Sequence, residues 1–412
     1  MIALRLALAA VLAASASATS TYVVDDTPGP GVDFNSIGAA IAFAAPGDVL
    51  VVRPGNYLGF TLSKELTIVG ASGVSIGLGS RILNVTSPEG VRLAGLQFWN
   101  LEISGCSGPV LCDQVNVDGF SVDPSLLISN SSDVRFQRST IRGGNGTAGG
   151  EGRRGATVDA SRVEFTGCTL RGGNGANHSF DTDGGFGAIA LLCRNGARVH
   201  LANTSAFGGN GGNACAALCV GNDGDGGDAV VLQSSSTLVL AGKAGTTLRG
   251  GLAGQAWGQA SDGWGLRATN SFVRWSGVSI TRADGVTPGL TVWATSVQVP
   301  AQPDPTLELI GTTSVGQSWQ FVVRGAPGSN ARLQQGNRAR VLADALSVIE
   351  QLNNRIRLHP LGPFSGSGTA SMTASVGSAT AAGWTRIYQG MQIDPPTGNI
   401  DERTNSVFVI VR

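Results

Sequence analysis

Short alternations of apolar and polar residues recur along most of this chain, and turns of small residues separate them. The spacing between successive copies grows from 19 residues to 39, and one position is apolar in every copy: Val91, Val110, Val134, Val163, Val199, Leu238 and Val273. Strands this short do not suit a standard hairpin sandwich, but they suit a coil in which each strand stacks on its counterpart one turn earlier. The pattern predicts a right-handed parallel β-helix of eight or nine coils over residues 19–300.

Glycine-rich insertions follow the last strand of several repeats. Gly-Gly-Asn-Gly follows Arg142 and Arg171, the longer Gly-Gly-Asn-Gly-Gly-Asn follows Phe207, and Gly-Gly-Leu-Ala-Gly follows Arg249. Glycine allows backbones to approach closely at such corners. Loops that leave one corner of successive coils stack along one edge of a solenoid. We call this region, from Arg142 to Trp264, the loop edge and expect it to carry the function.

A helix is predicted at residues 36–45, before the first coil. Asp33 and Ser36 are suitable N-cap residues, and Pro46 with its neighbours ends the segment. An apolar stripe runs along one face: Ile37, Ala40, Ile41 and Ala44. The open end of a β-helix exposes apolar interior and unpaired strand edges, so a capping helix is expected there.

The residues around this helix resemble the start of a known superfamily. Asp25-Asp26 through Phe34, the helix, Pro46-Gly47-Asp48 and the segment from Val52 to Tyr57 are similar to the N-terminal part of pectin-lyase-like right-handed parallel β-helix proteins. The resemblance covers residues 20–300 and implies a secreted β-helix repeat protein. Superfamily members include polysaccharide lyases, glycoside hydrolases, epimerases, esterases and surface adhesins, so the resemblance implies a fold rather than one activity.

The composition and the strand pattern of the sequence change after Val299. Three prolines mark a linker at residues 301–305 and just before it, and the glycine-rich insertions stop. Residues 306–412 are predicted to form a small β-sandwich-like domain with longer strands. The predicted strands are 306–311, 319–324, 355–359, 384–389 and 407–411. The Leu and Ile spacing in residues 340–353 suggests a helix within this domain.

The composition narrows the class of protein. The formal net charge is zero and only 14% of residues are charged, so there is no basic surface for nucleic acid. Residues 1–18 are typical of a signal peptide cleaved after Ala18, and no later segment is long and apolar enough to span a membrane. A secreted location, extracellular or in the cell envelope, is expected. Arginine greatly outnumbers lysine, which favours a bacterial source with a GC-rich genome.

Six cysteines follow the signal segment, and an even number in an exported chain suits disulfide bonds. Cys106 and Cys112 flank a turn, and Cys215 lies four residues before Cys219, so local pairing is expected for each couple. Cys168 and Cys193 are then left to pair with each other. Six cysteines allow fifteen connectivities, and the others stay open.

The best acidic cluster lies in the loop edge: Asp181, Asp183, Asp223, Asp225 and Asp228. Carboxylates on glycine turns are suitable ligands for Ca²⁺, which is the one cofactor that the sequence suggests. The alternative is that Asp and Gly occupy these positions because both are common in turns.

Exposed tryptophans can stack on sugar rings, so Trp257, Trp264 and Trp275 are candidate contacts for a polysaccharide or a cell-surface glycan. The chain has three histidines, and none lies in a recognisable catalytic motif; His200 is expected to point outward from a strand. No nucleophile motif of the G-x-S-x-G type is present.

A secreted binding or structural scaffold that contacts glycans through its stacked loops is therefore favoured. The alternatives are a carbohydrate-active enzyme, either a polysaccharide lyase or a glycoside hydrolase, and a carbohydrate-binding module in the C-terminal domain. Convergence of the loop-edge aspartates with an arginine in a groove favours the enzyme, and their separation favours the scaffold.

Overall fold

The computed structural model describes most of the chain after the predicted signal segment. The described residues are 19–147, 150–178, 183–214, 221–243, 245–256, 260–287, 289–300, 304–311, 313–314, 317–327, 329–336, 338–343, 348–353, 357–375, 382, 385–395 and 400–411. Two of the predicted site residues, Asp181 and Trp257, lie outside this part of the chain, as do Cys215 and Cys219.

Short strands fill the first three quarters of the chain, with one helix near its start. In chain order these elements are β1 (Thr21–Val24), α1 (Ile37–Phe43), β2 (Val49–Val52), β3 (Gly55–Tyr57), β4 (Thr61–Leu62), β5 (Thr67–Gly70), β6 (Val74–Ile76), β7 (Ser80–Leu83), β8 (Val91–Ala94), β9 (Gln97–Phe98), β10 (Leu101–Ser104), β11 (Val110–Asp113), β12 (Asn116–Asp118), β13 (Leu126–Ser129), β14 (Val134–Gln137), β15 (Thr140–Arg142), β16 (Ala156–Asp159), β17 (Arg162–Thr166), β18 (Thr169–Arg171), β19 (Leu191–Arg194), β20 (Arg198–Ala202), β21 (Ser205–Phe207), β22 (Val230–Leu232), β23 (Thr237–Ala241), β24 (Thr247–Arg249), β25 (Leu266–Thr269), β26 (Phe272–Ser276), β27 (Ser279–Thr281), β28 (Leu290–Trp293) and β29 (Ser296–Gln298).

These strands form three parallel sheets, and the protein is a parallel β-helix, as predicted. The described strands β2 to β28 make nine coils, each of which contributes one strand to each sheet in turn. Sheet 1 has eleven strands: β1, β2, β5, β8, β11, β14, β17, β20, β23, β26 and β29. Sheet 2 has nine: β3, β6, β9, β12, β15, β18, β21, β24 and β27. Sheet 3 has nine: β4, β7, β10, β13, β16, β19, β22, β25 and β28. The apolar position identified in the sequence is confirmed, because Val91, Val110, Val134, Val163, Val199, Leu238 and Val273 pair in one unbroken register along sheet 1.

Helix α1 caps the first coil, as the sequence predicts. The Ser36 hydroxyl accepts a hydrogen bond from the Ala39 backbone N–H, and the predicted apolar stripe is buried. After the helix, the Asp48 carboxylate accepts hydrogen bonds from the backbone N–H groups of Ala45 and Ser20, both at 2.8 Å. A single aspartate thus ties the end of the helix to the strand below it. No helix among the described residues is long and apolar enough to cross a membrane.

Longer antiparallel strands follow the coil and confirm a small C-terminal β region. They are β30 (Thr306–Gly311), β31 (Ser318–Arg324), β32 (Asn330–Gly336), β33 (Arg338–Ala343), β34 (Val348–Asn353), β35 (Arg357–Pro363), β36 (Thr369–Ser375), β37 (Thr385–Ile393) and β38 (Ile400–Ile410). Strands β30, β31 and β36 form one sheet, and β35, β32, β37 and β38 form another. Residues of both sheets share one apolar core, in which the ring centroids of Phe321 and Tyr388 lie 4.3 Å apart. The linker boundary at residues 301–305 stays a prediction.

The helix predicted at residues 340–353 is wrong. This segment contributes to β33 and β34, which pair antiparallel from Arg338–Asn353 to Ala343–Val348. The leucines and Ile349 match a helical spacing, but the β-branched valines fit an extended chain better. Strand pairing therefore overrides a weak helical pattern.

The C-terminal region packs on the outer face of sheet 1. Strand β38 contacts β11 and β17, and the two parts share a small apolar cluster: Val69, Ala94, Leu111, Ile387, Phe408 and Ile410. The Gln137 side chain binds both polar groups of the Phe408 backbone, accepting from its N–H at 2.9 Å and donating to its carbonyl oxygen. His200 points outward, as expected, but it is only 8% exposed on this covered face.

The expected disulfide bonds are not formed by the described cysteines. Cys106, Cys112, Cys168 and Cys193 are all free thiols and all buried. The pairing of Cys106 with Cys112 and of Cys168 with Cys193 is wrong, because each member points into the interior from a different sheet or corner of the coil. Burial, the largest cause, raises the pKa of all four thiols, and that of Cys168 to about 12. These cysteines act as small apolar core residues.

Candidate functional site

The loop edge is made of paired, extended arms between sheets 2 and 3. Each insertion leaves a strand of sheet 2 as an outgoing arm and comes back to sheet 3 as a return arm. The outgoing arms are residues 143–147, 172–178, 208–214 and 250–255. The return arms are residues 150–155, 183–190, 221–229 and 260–265. Neither set is helical or part of the three sheets, and both are held by backbone hydrogen bonds between coils.

The hydrogen bonds of the arms repeat every three residues. In one outgoing arm, Gly175 and His178 donate to carbonyl oxygens of the next outgoing arm at 2.8 and 2.9 Å. Gly172 donates at 2.9 Å to the carbonyl oxygen of Phe207, the residue just before that arm. The following positions, Gly173 and Ala176, donate to a return arm at 2.9 and 3.0 Å. A repeat of three without hydrogen bonds inside the segment is typical of a polyproline II chain. Glycine-rich sequence is therefore used here as a regular stacked element.

We call each three-residue repeat of an arm a triplet. The backbone N–H of its third residue donates to a side chain of the coil before it. The Asn174 N–H donates to Asn145 Oδ1 at 2.9 Å, and the Asn210 N–H donates to Asn174 Oδ1 at 2.8 Å. The Leu252 N–H continues this asparagine column by donating to Asn210 Oδ1 at 2.9 Å. Asparagine recurs in the Gly-Gly-Asn motif because its amide oxygen accepts the backbone N–H of the equivalent residue in the next coil.

Glycine is required where arms pack against arms. A Cβ atom on Gly209 would lie 1.8 Å from the carbonyl oxygen of Gly173, and one on Gly251 would lie 1.9 Å from that of Gly209. Contacts this short are not found for real Cβ atoms. These glycine positions are therefore closed to larger residues, which explains the high glycine content of the insertions.

The predicted calcium ligands have a structural role in the return arms. Three of them accept a backbone N–H of the next coil through Oδ1. Asp183 accepts from Asn222 at 2.6 Å, and Asp225 accepts from Ser261 at 2.6 Å. Asp228 accepts from Trp264 at 2.8 Å. Asp223 accepts from the Ala214 N–H at 2.8 Å, close to the tip of its own loop. Among the described residues, no three His, Cys, Asp or Glu side chains are grouped closely enough to hold a metal ion.

Asp228 also pairs with a basic residue. Arg267 Nε lies 2.8 Å from Asp228 Oδ2, and Asp228 is only 5% exposed. Burial, the largest cause, raises the pKa of the Asp228 carboxyl, whereas the hydrogen bond from Trp264 and the charge of Arg267 lower it. Asp228 is thus a predicted aspartate that forms an ion pair with an arginine.

The two described candidate tryptophans do not form one surface. Trp264 lies at the end of a return arm, with the Arg282 guanidinium 4.6 Å from its ring centroid. Trp275 stands in the inward column of sheet 1 after Leu240 and packs against the core of the coil. Trp275 therefore contributes to packing rather than to the loop edge.

An arginine column that the sequence analysis did not select lies beside the outgoing arms. The column consists of four residues that pair in register at the ends of successive strands of sheet 2: Arg142, Arg171, Phe207 and Arg249. With the asparagine column they line an open groove of about 420 Å³, which we call the arginine groove. Its described lining residues are Arg142, Asn145, Arg171, Gly172, Asn174, Phe207, Gly208, Asn210, Arg249, Gly250 and Leu252.

The arginines of this groove are not held in ion pairs with described carboxylates. The three arginines are exposed, and none forms an ion pair with a described carboxylate; Asp118, the next residue of the column, forms none with Arg142. The Arg171 guanidinium lies 4.5 Å from the Phe207 ring centroid, and Arg249 Nη2 donates to the Ala283 carbonyl oxygen at 3.1 Å. These contacts hold two of the side chains in place without removing their charge.

The sequence contained the signal for this groove. The aligned repeats have an arginine immediately before equivalent glycine pairs, at Arg142, Arg171 and Arg249. Equivalent positions in a β-helix stack directly, so one basic residue per repeat predicts a column of charge. The zero net charge of the whole chain conceals this local concentration.

Comparisons with known proteins add little to this picture. No protein-family model matches the chain, and no curated protein matches it. Among solved structures, the catalytic domain of a GH87 alpha-1,3-glucanase in complex with tetrasaccharides matches at 12% identity over 68% of each chain, with a TM-score of 0.15. A TM-score this low carries no argument about fold or activity.

Proposed function

We propose that this protein is a secreted scaffold that binds glycans along its loop edge, with the arginine groove as the contact surface. The observation that carries the proposal is the chemistry of the groove. Its guanidinium groups and side-chain amides are hydrogen-bond donors, and the Phe207 ring lies among them. Sugars present many oxygen acceptors and apolar ring faces, and such a surface suits both.

Binding is favoured over catalysis by the roles of the carboxylates. Glycoside cleavage uses a pair of carboxylates that face the bond being broken. Three aspartates of the loop edge, Asp183, Asp225 and Asp228, instead accept backbone N–H groups from neighbouring coils. They lie on the return arms, whereas the arginine groove lies on the outgoing arms. This separation supports the scaffold over the lyase or hydrolase.

The test is a binding screen of the purified full chain against an array of neutral and acidic polysaccharides. We expect retention on at least one class, weakened when Phe207 is replaced by Ala. Phe43→Ala, which removes an exposed aromatic side chain of the capping helix α1, is the control and should bind as the wild type does.

Two results would contradict the proposal. One is the absence of binding to every polysaccharide on the array. The other is release of unsaturated products or reducing ends from a bound polysaccharide, with or without Ca²⁺, because turnover would support the enzyme alternative.

A further inference from the structure

We infer that the arginine groove selects acidic polysaccharides and binds their anionic groups directly, without a bridging metal ion. This inference rests on the proposed glycan-binding function and specifies its ligand class. Its basis is the register of the charged side chains, which neither the fold nor the core packing requires. The ligand class is a chain that carries carboxylate or sulfate groups.

Arg142 and Arg171 lie directly opposite each other on neighbouring strands of sheet 2. Strands in a sheet are about 4.8 Å apart, and like charges in such pairs destabilise the sheet. No described carboxylate relieves this repulsion with an ion pair. An anion between the two guanidinium groups would relieve it, so bound ligand and folded protein stabilise each other.

The asparagine column strengthens the preference for anions. The side-chain oxygens of Asn145, Asn174 and Asn210 are already used as acceptors for backbone N–H groups of the next coil. Their Nδ2 groups have no hydrogen-bond partner among the described residues, and the three side chains are exposed. The groove therefore offers free donors, and its side-chain acceptors are occupied.

The described lining of the groove also contains no carboxylate. The described carboxylates at the third positions of triplets, Asp183, Asp225 and Asp228, all lie in return arms, and Asp228 is paired with Arg267. A guanidinium presents two parallel N–H groups that match a carboxylate or a sulfate, and it keeps its charge at every physiological pH. Direct binding by arginine needs no calcium.

The column fixes the direction of the ligand. From Arg142 to Arg249 there are three coil steps, or roughly 14 Å at ~4.8 Å per step. A polymer that meets successive guanidinium groups must run along the solenoid axis, across the outgoing arms. Phe207 occupies the step between Arg171 and Arg249 and leaves a less polar position there.

The experiment measures affinity of the full chain for polygalacturonate, its fully methyl-esterified form, dextran sulfate and neutral dextran, each in EDTA. Polygalacturonate and its ester share a backbone and differ in charge, and dextran sulfate separates sulfate from carboxylate recognition. The variants Arg142→Gln, Arg171→Gln and Arg249→Gln are compared with Arg81→Gln. Arg81 is an exposed residue of sheet 3 paired with Glu102, and its substitution removes the same charge elsewhere.

We expect binding to at least one acidic polymer and none to the neutral ones. Each groove variant should bind about tenfold more weakly, and Arg81→Gln should bind as the wild type does. Wild-type affinity should fall steeply with ionic strength, and less steeply in the variants.

The outcomes separate the two proposals. Equal binding of polygalacturonate and its ester, or loss of acidic-polymer binding in EDTA, overturns the direct recognition of anions and leaves the glycan-binding function standing. Unchanged affinity in all three groove variants overturns the assignment of the site. Failure to bind any polysaccharide on the wider array overturns the proposed function, and this inference with it.

Discussion

At the scale of single residues, the side chains of the loop edge are explained by the backbone groups that they bind. Asp228 is the clearest case, since its Oδ1 accepts the Trp264 N–H while the carboxylate as a whole is nearly buried. An amide oxygen could accept the same hydrogen bond without a buried charge. Asparagine does this in the outgoing arms.

Replacing Asp228 by Asn and by Ala tests this role. Asp228→Ala should lower the free energy of unfolding by about 1–3 kcal/mol, because the Trp264 N–H loses its partner. Asp228→Asn keeps an acceptor and gives up only a half-exposed ion pair with Arg267, so its stability at pH 7 should match or exceed that of the wild type.

The difference in stability between the wild type and Asp228→Asn should depend on pH. The folded-state pKa of Asp228 is raised above the ordinary value of 3.8, so ionisation disfavours the folded state. The wild type should therefore gain stability relative to Asp228→Asn as the pH falls toward and below 3.8. Urea unfolding at several pH values measures this difference. A wild type whose free energy of unfolding falls relative to that of the variant on acidification would contradict the prediction.

The buried cysteines allow a second test at this scale. Four cysteines should resist iodoacetamide at pH 8 in the folded protein and react fully after unfolding: Cys106, Cys112, Cys168 and Cys193. Burial shields these thiols and raises their pKa. Peptide mapping by mass spectrometry gives each site separately from Cys215 and Cys219. A mapped disulfide between any two of the four would contradict the structure.

At the scale of elements, the strands could be predicted and the arms could not. Apolar alternation located the strands of the coil and the register of sheet 1, because interior positions must be apolar in every coil. The arms carry no apolar periodicity, since their regular packing comes from backbone hydrogen bonds and from the absence of Cβ atoms. Their signal is the spacing of Asn within glycine runs.

Gly209 and Gly38 form a matched pair for testing the arms. Gly209→Ala should lower the free energy of unfolding by about 2–3 kcal/mol or more, because the new methyl group meets the Gly173 carbonyl oxygen. Gly38 is an exposed residue of α1 with open space around it, so Gly38→Ala should stabilise the protein by about 0.5–1 kcal/mol. Chemical unfolding measures both, and a tolerated Gly209→Ala would disprove the close stacking.

At the scale of the whole molecule, the C-terminal region covers one face of the coil. The sequence identified this region as β-structure but gave no indication of where it packs. The outward residues of sheet 1 include Asp113, Arg135, Gln137 and Glu164, and such polar residues on a strand normally indicate a solvent-exposed face. Here they are buried, and Gln137 binds the C-terminal region directly.

Gln137 should be central to this contact. Gln137→Ala removes both hydrogen bonds to the Phe408 backbone and leaves buried polar groups without partners, so we expect a loss of about 2–4 kcal/mol. Gln97→Ala, an exposed position on sheet 2, should change stability by less than about 0.5 kcal/mol. Thermal unfolding and hydrogen exchange of residues 404–411 measure the effect, and equal results for the two variants would contradict the described packing.

The three-residue repeat of the arms also restricts which insertions and deletions the loop edge can accept. Adding or removing one residue would turn every later position of an arm by a third of a revolution and bring an asparagine to a site such as that of Gly209, where no Cβ fits. A whole triplet would keep the phase and only move the tip of the loop. The loop edge can thus be widened or narrowed in steps of three residues on each arm, while the coil beneath keeps its own register.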